Sequence, residues 1–363
     1  MGEHIRFRQP HAVVSSGFTG ILADQGADVV KVEVPGIGDH SRHVATRRGG
    51  FSASFLNNNR NKRSIALDLK HADGLAALKR LIAGADVVLQ NFRPGVVGRL
   101  GLGYEDARAS RPGIIYASIT GFGDTGPYAG KPVFDPLIQS LSGLTTVQAG
   151  SDQRCPALVR TILPDKLTSV TAAQAISSAL FARERTGKGQ HVRLAMFDSL
   201  IAWLWPDGLM NHTYIGDGVP VTPPVSSLNG GFETTDGYIT AAAMSDVEWQ
   251  GLCRAMGRED LITDPRFGSV ADRTKNIEAL VGAADDALKA KTSEEMLARL
   301  DAEDVPSAKI LSRDEMVDSP QVEAHELLVH HTHRQAGPMR EQRAAAQHDA
   351  TPATDARSAR SAG

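Results

Sequence analysis

The sequence predicts an α/β fold, with a Rossmann-like, parallel-sheet large domain and a smaller α+β domain. Three observations lead to this prediction. Short β-rich runs alternate with helical runs through the first half of the chain, glycines follow the predicted strands, and a proline- and glycine-rich stretch interrupts the pattern near residue 206. Alternation of this kind is typical of parallel strands joined by crossover helices.

The large domain is predicted to contain strands at residues 27–34, 64–69, 86–91, 113–120 and 191–196. Between the second and third, residues 71–82 are predicted to form a helix, because three leucines and Ile82 fall on one face. Glycines between positions 95 and 126 follow the strands, so a ligand crevice is expected beyond the carboxyl edge of the sheet. No G-x-G-x-x-G sequence opens a helix directly after a strand, so the pattern does not support a nicotinamide cofactor.

A later helix has clear start and stop signals. Asp165 is typical of a helix start, and Gly187 and Gly189 end the apolar run that follows it. A carboxylate near a helix N-terminus is held ionised by the helix dipole and by free backbone N–H groups. Because an ionised carboxylate can accept an acyl group from a thioester, Asp165 is interpreted either as a plain N-cap or as a nucleophile.

The change of pattern near residue 206 divides the chain. We predict a large domain at residues 1–205, a linker at 206–225, a small α+β domain at 226–310 and a second linker at 311–324, with 325–363 returning to the large domain. A hairpin is expected around the Asp236-Gly237 turn, with helices near 247–256 and 277–289. The last thirty or so residues are expected to stay mobile, and the tail beyond Gln342 to add little stability.

Composition fits a soluble enzyme. The 363 residues are 41% hydrophobic and 22% charged, with a formal net charge of −3, so the chain can bury a sizeable core and is not basic enough for nucleic acid. Cys155 and Cys253 lie far apart without metal-like spacing, so free thiols and no metal site are expected. Without a membrane-length apolar run or a signal-peptide core, the expectation is a cytoplasmic protein with no membrane partner.

Four segments, in chain order, carry a family resemblance. They read Ala-Asp-Val-Val-Lys-Val-Glu at 27–33, Asn-Arg-Asn-Lys-Arg-Ser at 59–64, Asn-Phe-Arg-Pro-Gly at 91–95 and Leu-Pro-Asp-Lys-Leu at 163–167. Together they resemble the class III, CaiB/BaiF-type CoA-transferases, a family that also contains 2-methylacyl-CoA racemases, over roughly residues 12–330. The resemblance implies transfer of CoA from an acyl-CoA thioester to a free carboxylic acid, an interlocked homodimer, and no tightly bound cofactor besides coenzyme A and acyl-CoA as substrates.

The resemblance also implies roles for individual residues. Asp165 would be the nucleophile, forming an aspartyl anhydride and then aspartyl-CoA. The residues implied to bind coenzyme A are Lys31, Arg60, Lys62, Arg63, Leu67, Asn91, Phe92, Arg93 and Arg99. The phosphate groups of coenzyme A need fixed cations, which Arg60, Lys62 and Arg63 could supply, although a short charge run is usually a solvated face. Lys31 and Glu33 could equally form the polar side of a half-buried strand. The residues Asn229, Gly230 and Gly231 match a mobile loop that covers the acyl-enzyme, or form a simple turn.

Two alternatives stay open. Racemases of this family use a histidine just before an aspartate at a helix start, and Phe134 takes that place here, which favours transfer over racemisation. The other alternative is a catalytically silent CoA-binding relative. It stays open because Val-Ser-Ser at 14–16 replaces the family's small turn, Val34 replaces a basic residue or proline, and residues 352–363 show no counterpart of the family's C-terminal segment. The sequence does not identify the acyl group.

Overall fold

A computed structural model describes residues 6–10, 13–219, 221 and 231–353 of the chain. Contacts divide the chain into two compact units. One is formed by residues up to Leu204 and from Glu326 onward, and the other by Trp205–His325. The first contains a parallel sheet and the second an antiparallel one, so the prediction of a mixed α/β protein with a parallel sheet is confirmed.

The first unit contains ten strands and nine helices within the described residues. Its strands are β1 (Arg6–Pro10), β2 (Asp28–Glu33), β3 (Arg47–Arg48), β4 (Phe51–Ser52), β5 (Lys62–Ala66), β6 (Val87–Gln90), β7 (Ile115–Thr120), β8 (Gln190–Ala195), β12 (Leu328–His333) and β13 (Gly337–Gln342). Its helices are α1 (Val13–Asp24), α2 (Ala53–Asn59), α3 (Ala72–Ala83), α4 (Val96–Arg99), α5 (Tyr104–Ser110), α6 (Asp135–Leu141), α7 (Leu144–Ala149), α8 (Leu163–Thr186) and α9 (Met196–Leu204).

The main sheet has the strand order β5-β2-β1-β6-β7-β8, and every neighbouring pair is parallel. The five predicted strands correspond to β2, β5, β6, β7 and β8 and are confirmed. Strand β1 was not predicted, although it lies between β2 and β6. Its sequence, Arg-Phe-Arg-Gln-Pro, has one large apolar residue and ends in proline, which is unusual in a central strand.

Helices cover both faces of this sheet. On one face, Leu78 and Ile82 of α3 pack in one buried cluster with Val88 and Tyr116 of the sheet, so the predicted helix is confirmed and its apolar face is the buried one. On the other face, α8 contacts β7 and β8 as well as α1 and α9. Burial of a large aliphatic side chain stabilises the fold by about 1.5–3 kcal/mol, so these clusters hold both helix layers in place.

The second unit is built on the antiparallel sheet β11-β10-β9. Its elements are β9 (Gly231–Thr234), β10 (Gly237–Ala241), β11 (Ser307–Lys309), α10 (Asp246–Met256), α11 (Val270–Lys275), α12 (Ile277–Leu288), α13 (Ser293–Ala302), α14 (Arg313–Val317) and α15 (Pro320–Ala324). The hairpin at Asp236-Gly237 and the two predicted helices are confirmed. The stretch predicted as a second linker, 311–324, instead forms α14 and α15, each of which begins with a serine cap.

The C-terminal part of the chain contains an ordered hairpin. Strands β12 and β13 pair in antiparallel fashion, so the expectation that the last thirty or so residues are mobile is wrong up to Gln342. His333 is buried and its ring lies 4.8 Å from that of Phe51. Ala336 joins the same buried cluster as Phe51 and Phe55. The hairpin was not predicted because its sequence is mostly polar and only a few of its residues are buried.

The turn between β3 and β4 fits against this hairpin. Gly49 and Gly50 both have positive φ, at 60° and 86°, as a two-residue hairpin turn requires. A Cβ on Gly49 would lie 2.2 Å from the carbonyl oxygen of Gln335, whereas a Cβ on Gly50 would meet nothing within 4 Å. The two glycines therefore share a backbone conformation but differ in the space around them.

This pair gives a matched test of the docked hairpin. Gly50→Ala should lower the free energy of unfolding by about 1 kcal/mol, because an alanine is strained at positive φ. Gly49→Ala should cost clearly more, since it also pushes the β12–β13 turn away. Urea unfolding measures both losses, and hydrogen exchange at residues 328–342 should speed up only in Gly49→Ala. Equal losses would show that the hairpin is not packed on this turn.

Candidate functional site

Asp165 lies in the first turn of α8. The helix begins at Leu163, so Asp165 is its third residue, and Ile162 at the N-cap makes no side-chain capping bond. The interpretation of Asp165 as a plain N-cap is therefore wrong. Pro164 sits in the first turn, where its missing N–H does no harm, and Gly187 ends the helix with φ at 69°, as the sequence predicts.

Asp135 supplies a capping acceptor to α8 from another helix. It is the first residue of α6 and is only 4% exposed. Its Oδ2 accepts the backbone N–H of Asp165 at 3.1 Å, and its Oδ1 accepts Nε2 of Gln139 at 2.7 Å. The contact joins the starts of two helices and brings the carboxylate of Asp135 close enough for its charge to act on Asp165. This contact was not predicted, because it joins two helices that are 30 residues apart in the chain.

The environment of Asp165 raises its pKa. Burial, and then the negative charge of Asp135, raise the pKa of Asp165 to about 7, and the ammonium group of Lys166 opposes this. The prediction that the helix dipole holds this carboxylate ionised is therefore wrong, because burial outweighs the dipole. Lys166 donates from Nζ to Asn58 Oδ1 at 2.6 Å, which ties the start of α8 to α2.

Lys31, one of the predicted CoA-binding residues, is buried in an ion pair. It is 1% exposed, pairs with Asp39 and donates to Asn59 Oδ1 at 3.0 Å. Burial raises the pKa of Asp39, but the ammonium group of Lys31 lowers it by more, so that the pKa is about 2. On the same face of β2, the buried carboxylate of Glu33 accepts two bonds of 2.7 Å from Arg42. Lys31 and Glu33 therefore do form one polar face of β2, but this face is fully buried and its charges are paired, whereas a half-buried strand was the alternative expected.

The three cations at residues 60–63 also have partners inside the protein. Arg60 is 8% exposed, and its guanidinium donates to both carboxylate oxygens of Asp24. Lys62 is 5% exposed, and its Nζ donates to the Asn58 carbonyl oxygen at 2.6 Å. Burial lowers the pKa of Lys62 well below its ordinary value. Arg63 is exposed and pairs with Asp28. Arg60 and Lys62 therefore belong to the interior around α2, and a solvated charge run describes only Arg63.

The other predicted CoA-binding residues lie at the carboxyl edge of the sheet. Leu67 follows β5, and residues 91–95 follow β6. Leu67, Asn91 and Phe92 are half-buried, while Arg93 and Arg99 are exposed. This edge is where a parallel α/β sheet binds its ligands, so five of the nine predicted residues lie in the expected place.

A chain of side-chain hydrogen bonds holds the loop after β6. The N–H of Phe92 donates to Gln90 Oε1 at 2.8 Å, and Gln90 Nε2 donates to Ser118 Oγ at 2.9 Å. Ser118 Oγ in turn lies 2.8 Å from His191 Nε2, and the imidazole stacks on Tyr104. His191 is therefore engaged in packing the sheet.

The predicted substrate loop is described only in part, and the position of the racemase histidine is exposed. Gly231 opens β9, whereas Asn229 and Gly230 lie outside the described residues. Phe134 precedes α6 and is 78% exposed. In the part of the chain that the structure describes, no group of three or more His, Cys, Asp or Glu residues could hold a metal ion. None of the helices among those residues is long and apolar enough to cross a membrane.

The fold is that of an α/β protein, and comparison with known proteins gives its class. The model of CoA-transferase family III matches residues 11–362, and the chain belongs to this family. The prediction of a class III CoA-transferase is confirmed by this match and by the names of its relatives.

Two relatives illustrate the similarity. Acetyl-CoA:oxalate CoA-transferase of Acetobacter aceti is 36% identical over 317 residues, which cover 86% of this chain and 80% of that protein. The probable fatty acyl-CoA transferase Rv3272 of Mycobacterium tuberculosis is 32% identical over 315 residues, covering 83% and 79%. The crystal structure of Rv3272 in its orthorhombic form has a TM-score of 0.86 at 31% identity, covering 99% of this chain and 96% of that chain.

The buried ion pair of Lys31 can be compared with the surface pair of Arg63. Asp39→Asn should lower the free energy of unfolding by roughly 3–5 kcal/mol, because it leaves the Lys31 ammonium buried without its counter-charge. Asp28→Asn removes the partner of an exposed arginine and should cost less than about 1 kcal/mol. Urea unfolding of both variants measures the difference. A small loss in Asp39→Asn would mean that Lys31 reaches solvent and remains available to a ligand.

Proposed function

We propose that this protein moves CoA from an acyl-CoA thioester to a free carboxylic acid, with Asp165 as the nucleophile. Membership of CoA-transferase family III supports the reaction class. The observation that carries the role of Asp165 is its half-buried carboxylate at the start of α8, beside Asp135. Poor solvation of a carboxylate raises its basicity, and a more basic carboxylate is a better nucleophile once it is ionised.

The proposed reaction forms and breaks one bond at each step. A carboxylate oxygen of Asp165 attacks the thioester carbonyl carbon, and CoA leaves as a thiolate, which gives an aspartyl anhydride. The thiolate attacks the aspartyl carbonyl carbon and releases the first acyl group as a free carboxylate, which leaves aspartyl-CoA. The acceptor carboxylate then attacks the carbonyl carbon of aspartyl-CoA and releases the thiolate, which gives a second anhydride between Asp165 and the new acyl group. The thiolate attacks the carbonyl carbon of that acyl group, which gives the new acyl-CoA and frees the carboxylate of Asp165.

Binding of coenzyme A is proposed at the carboxyl edge of β5 and β6. The exposed guanidinium groups of Arg93 and Arg99 suit phosphate oxygens, and Phe92 with Leu67 offers apolar surface. The ion pairs of Lys31 and Arg60 and the internal bonds of Lys62 support a different role for these three. They hold α2 and β5 in place, and Arg63 is the one cation of the 60–63 segment that is exposed.

The substrates are proposed from chemistry and from the names of the relatives. Those names include oxalate, mesaconate and glutarate as well as fatty acyl groups. Short-chain carboxylic acids are therefore the first acceptors to test, against a panel of acyl-CoA donors. Residues 229–231 are proposed to cover the acyl-enzyme. Wash-in of deuterium at the α-carbon without CoA exchange would instead indicate a racemase, and binding of CoA without turnover a silent relative.

Trapping of the intermediate tests the nucleophile. With acyl-CoA and no acceptor, the wild-type protein should accumulate an adduct on Asp165 that hydroxylamine cleaves and mass spectrometry locates. Its rate of formation should fall as the pH falls below about 7, because the carboxylate becomes protonated. Asp165→Asn should fold normally and trap nothing, while Asp152→Asn, which changes an exposed acid, should behave as wild type. Near-normal transfer by a folded Asp165→Asn protein would rule out the aspartyl mechanism.

We further propose that two chains interlock as a homodimer, as the family resemblance implies. Interlocked chains cannot separate unless one of them opens. Dilution to nanomolar concentration under native conditions should therefore leave the dimer intact, and mass photometry can measure this. Folded monomers at that concentration would contradict the interlocked arrangement without bearing on the transfer reaction.

A further inference from the structure

We propose that Asp135 and Gln139 are positioning residues for Asp165. Together they fix the start of α8, and Asp135 places a second negative charge near the nucleophile. This inference rests on the proposed role of Asp165. It extends the site from α8 to two residues of α6, through hydrogen bonds and through charge.

Gln139 ties the approach to α8 against α6. Its side chain is 2% exposed. Its Oε1 accepts the N–H of Val159 at 2.9 Å, while Nε2 lies 3.3 Å and 3.2 Å from the carbonyl oxygens of Val159 and Thr161. The same Nε2 donates to Asp135 Oδ1 at 2.7 Å. One buried amide therefore holds the segment that enters α8 and also orients the carboxylate of Asp135.

Asp135 takes over the role that an N-cap residue normally has. The N-cap of α8, Ile162, has no side-chain acceptor, so the N–H groups of the first turn depend on other elements. Asp135 Oδ2 accepts the N–H of Asp165 itself, and its Oδ1 is held by Gln139. The backbone of the nucleophile is thus fixed by a buried carboxylate whose own orientation is fixed. A misplacement of about 1 Å at a reacting group can cost roughly 100-fold in rate, so this clamp bears directly on reactivity.

The charge of Asp135 acts on Asp165 across the same contact. Two charged groups act on Asp165 within the described residues: Asp135 from α6 and Lys166 from α8. The other elements packed against α8 are α1, α9, β7 and β8, and none of their described charged groups is among the causes of the pKa shift of Asp165. Lys166 is held by Asn58 of α2. Burial also raises the pKa of Asp135. Since a negative charge on Asp135 raises the pKa of Asp165, ionisation of the two carboxyl groups is expected to be coupled.

Asp135→Asn tests the charge of Asp135. It removes the negative charge and keeps one side-chain oxygen, which can still accept the N–H of Asp165, but it gives up the bond from Gln139 Nε2 to the other oxygen. The acidic limb of the trapping reaction is the pH range in which the trapping rate falls because Asp165 becomes protonated. In Asp135→Asn this limb should lie at a pH that is lower by roughly one unit. The carboxyl carbon of Asp165, followed by NMR with ¹³C-labelled aspartate, should titrate at correspondingly lower pH. This second readout does not depend on turnover, so a failure of the proposed reaction and a failure of this inference are distinguishable.

Gln139→Met gives the complementary change. It removes the clamp on residues 159–161 but leaves the charge of Asp135, so trapping should slow by roughly tenfold or more with a much smaller shift of the acidic limb. Gln153→Leu, at an exposed glutamine ahead of α8, is the matched control and should change neither.

Three outcomes would overturn the inference. Unchanged titration of Asp165 in a folded Asp135→Asn protein would exclude electrostatic coupling, and unchanged trapping in a folded Gln139→Met protein would exclude positioning. If Asp135→Asn does not fold, the wild-type NMR titration decides: two carboxyl resonances that shift together support the pair, and independent titration of Asp165 near its ordinary pKa contradicts it.

Discussion

The start of α8 sets the requirement on which the site depends. A helix leaves its first N–H groups without intrahelical partners, and Ile162 in front of this helix has no side chain that can accept them. The acceptor comes from Asp135, thirty residues earlier in the chain and on a different helix. One hydrogen bond therefore fixes two helix starts relative to each other. It also explains why a carboxylate proposed as a nucleophile has a second carboxylate as its neighbour.

The charges on β2 obey a similar requirement. Lys31 and Glu33 lie on one face of the strand, and each would be strongly unfavourable there alone, because taking a charge out of water costs several kcal/mol. Both counter-charges come from one short segment, in which Asp39 precedes the helical turn His40–His43 and Arg42 lies within it. The alternation of charge along β2 is thus matched by opposite charge in that turn, which holds the segment against the sheet.

Local signals in the sequence predicted the parallel sheet and the start and end of α8, because strand alternation and glycine stops act over a few residues. They did not predict β1, whose position depends on pairing with β2 and β6 and not on its own composition. The nine implied CoA-binding residues also differ in how far the sequence could predict their burial. The exposure of Arg93 is a local property of a loop, whereas the burial of Arg60 depends on Asp24, far away in sequence. The contact between Asp135 and Asp165 is likewise tertiary, and no spacing rule reveals it.

The expectation that Asp165 is ionised failed for a reason that can be expressed as free energies. A helix start stabilises a negative charge by about 0.3–1 kcal/mol at exposed sites. A pKa of about 7, against an ordinary value of 3.8, corresponds to an opposing effect on the order of 4 kcal/mol. Burial beside Asp135 therefore outweighs the dipole several-fold. A substrate that brought positive charge or hydrogen-bond donors to this pair would favour the ionised form, so ionisation of the nucleophile would be coupled to the binding of substrate.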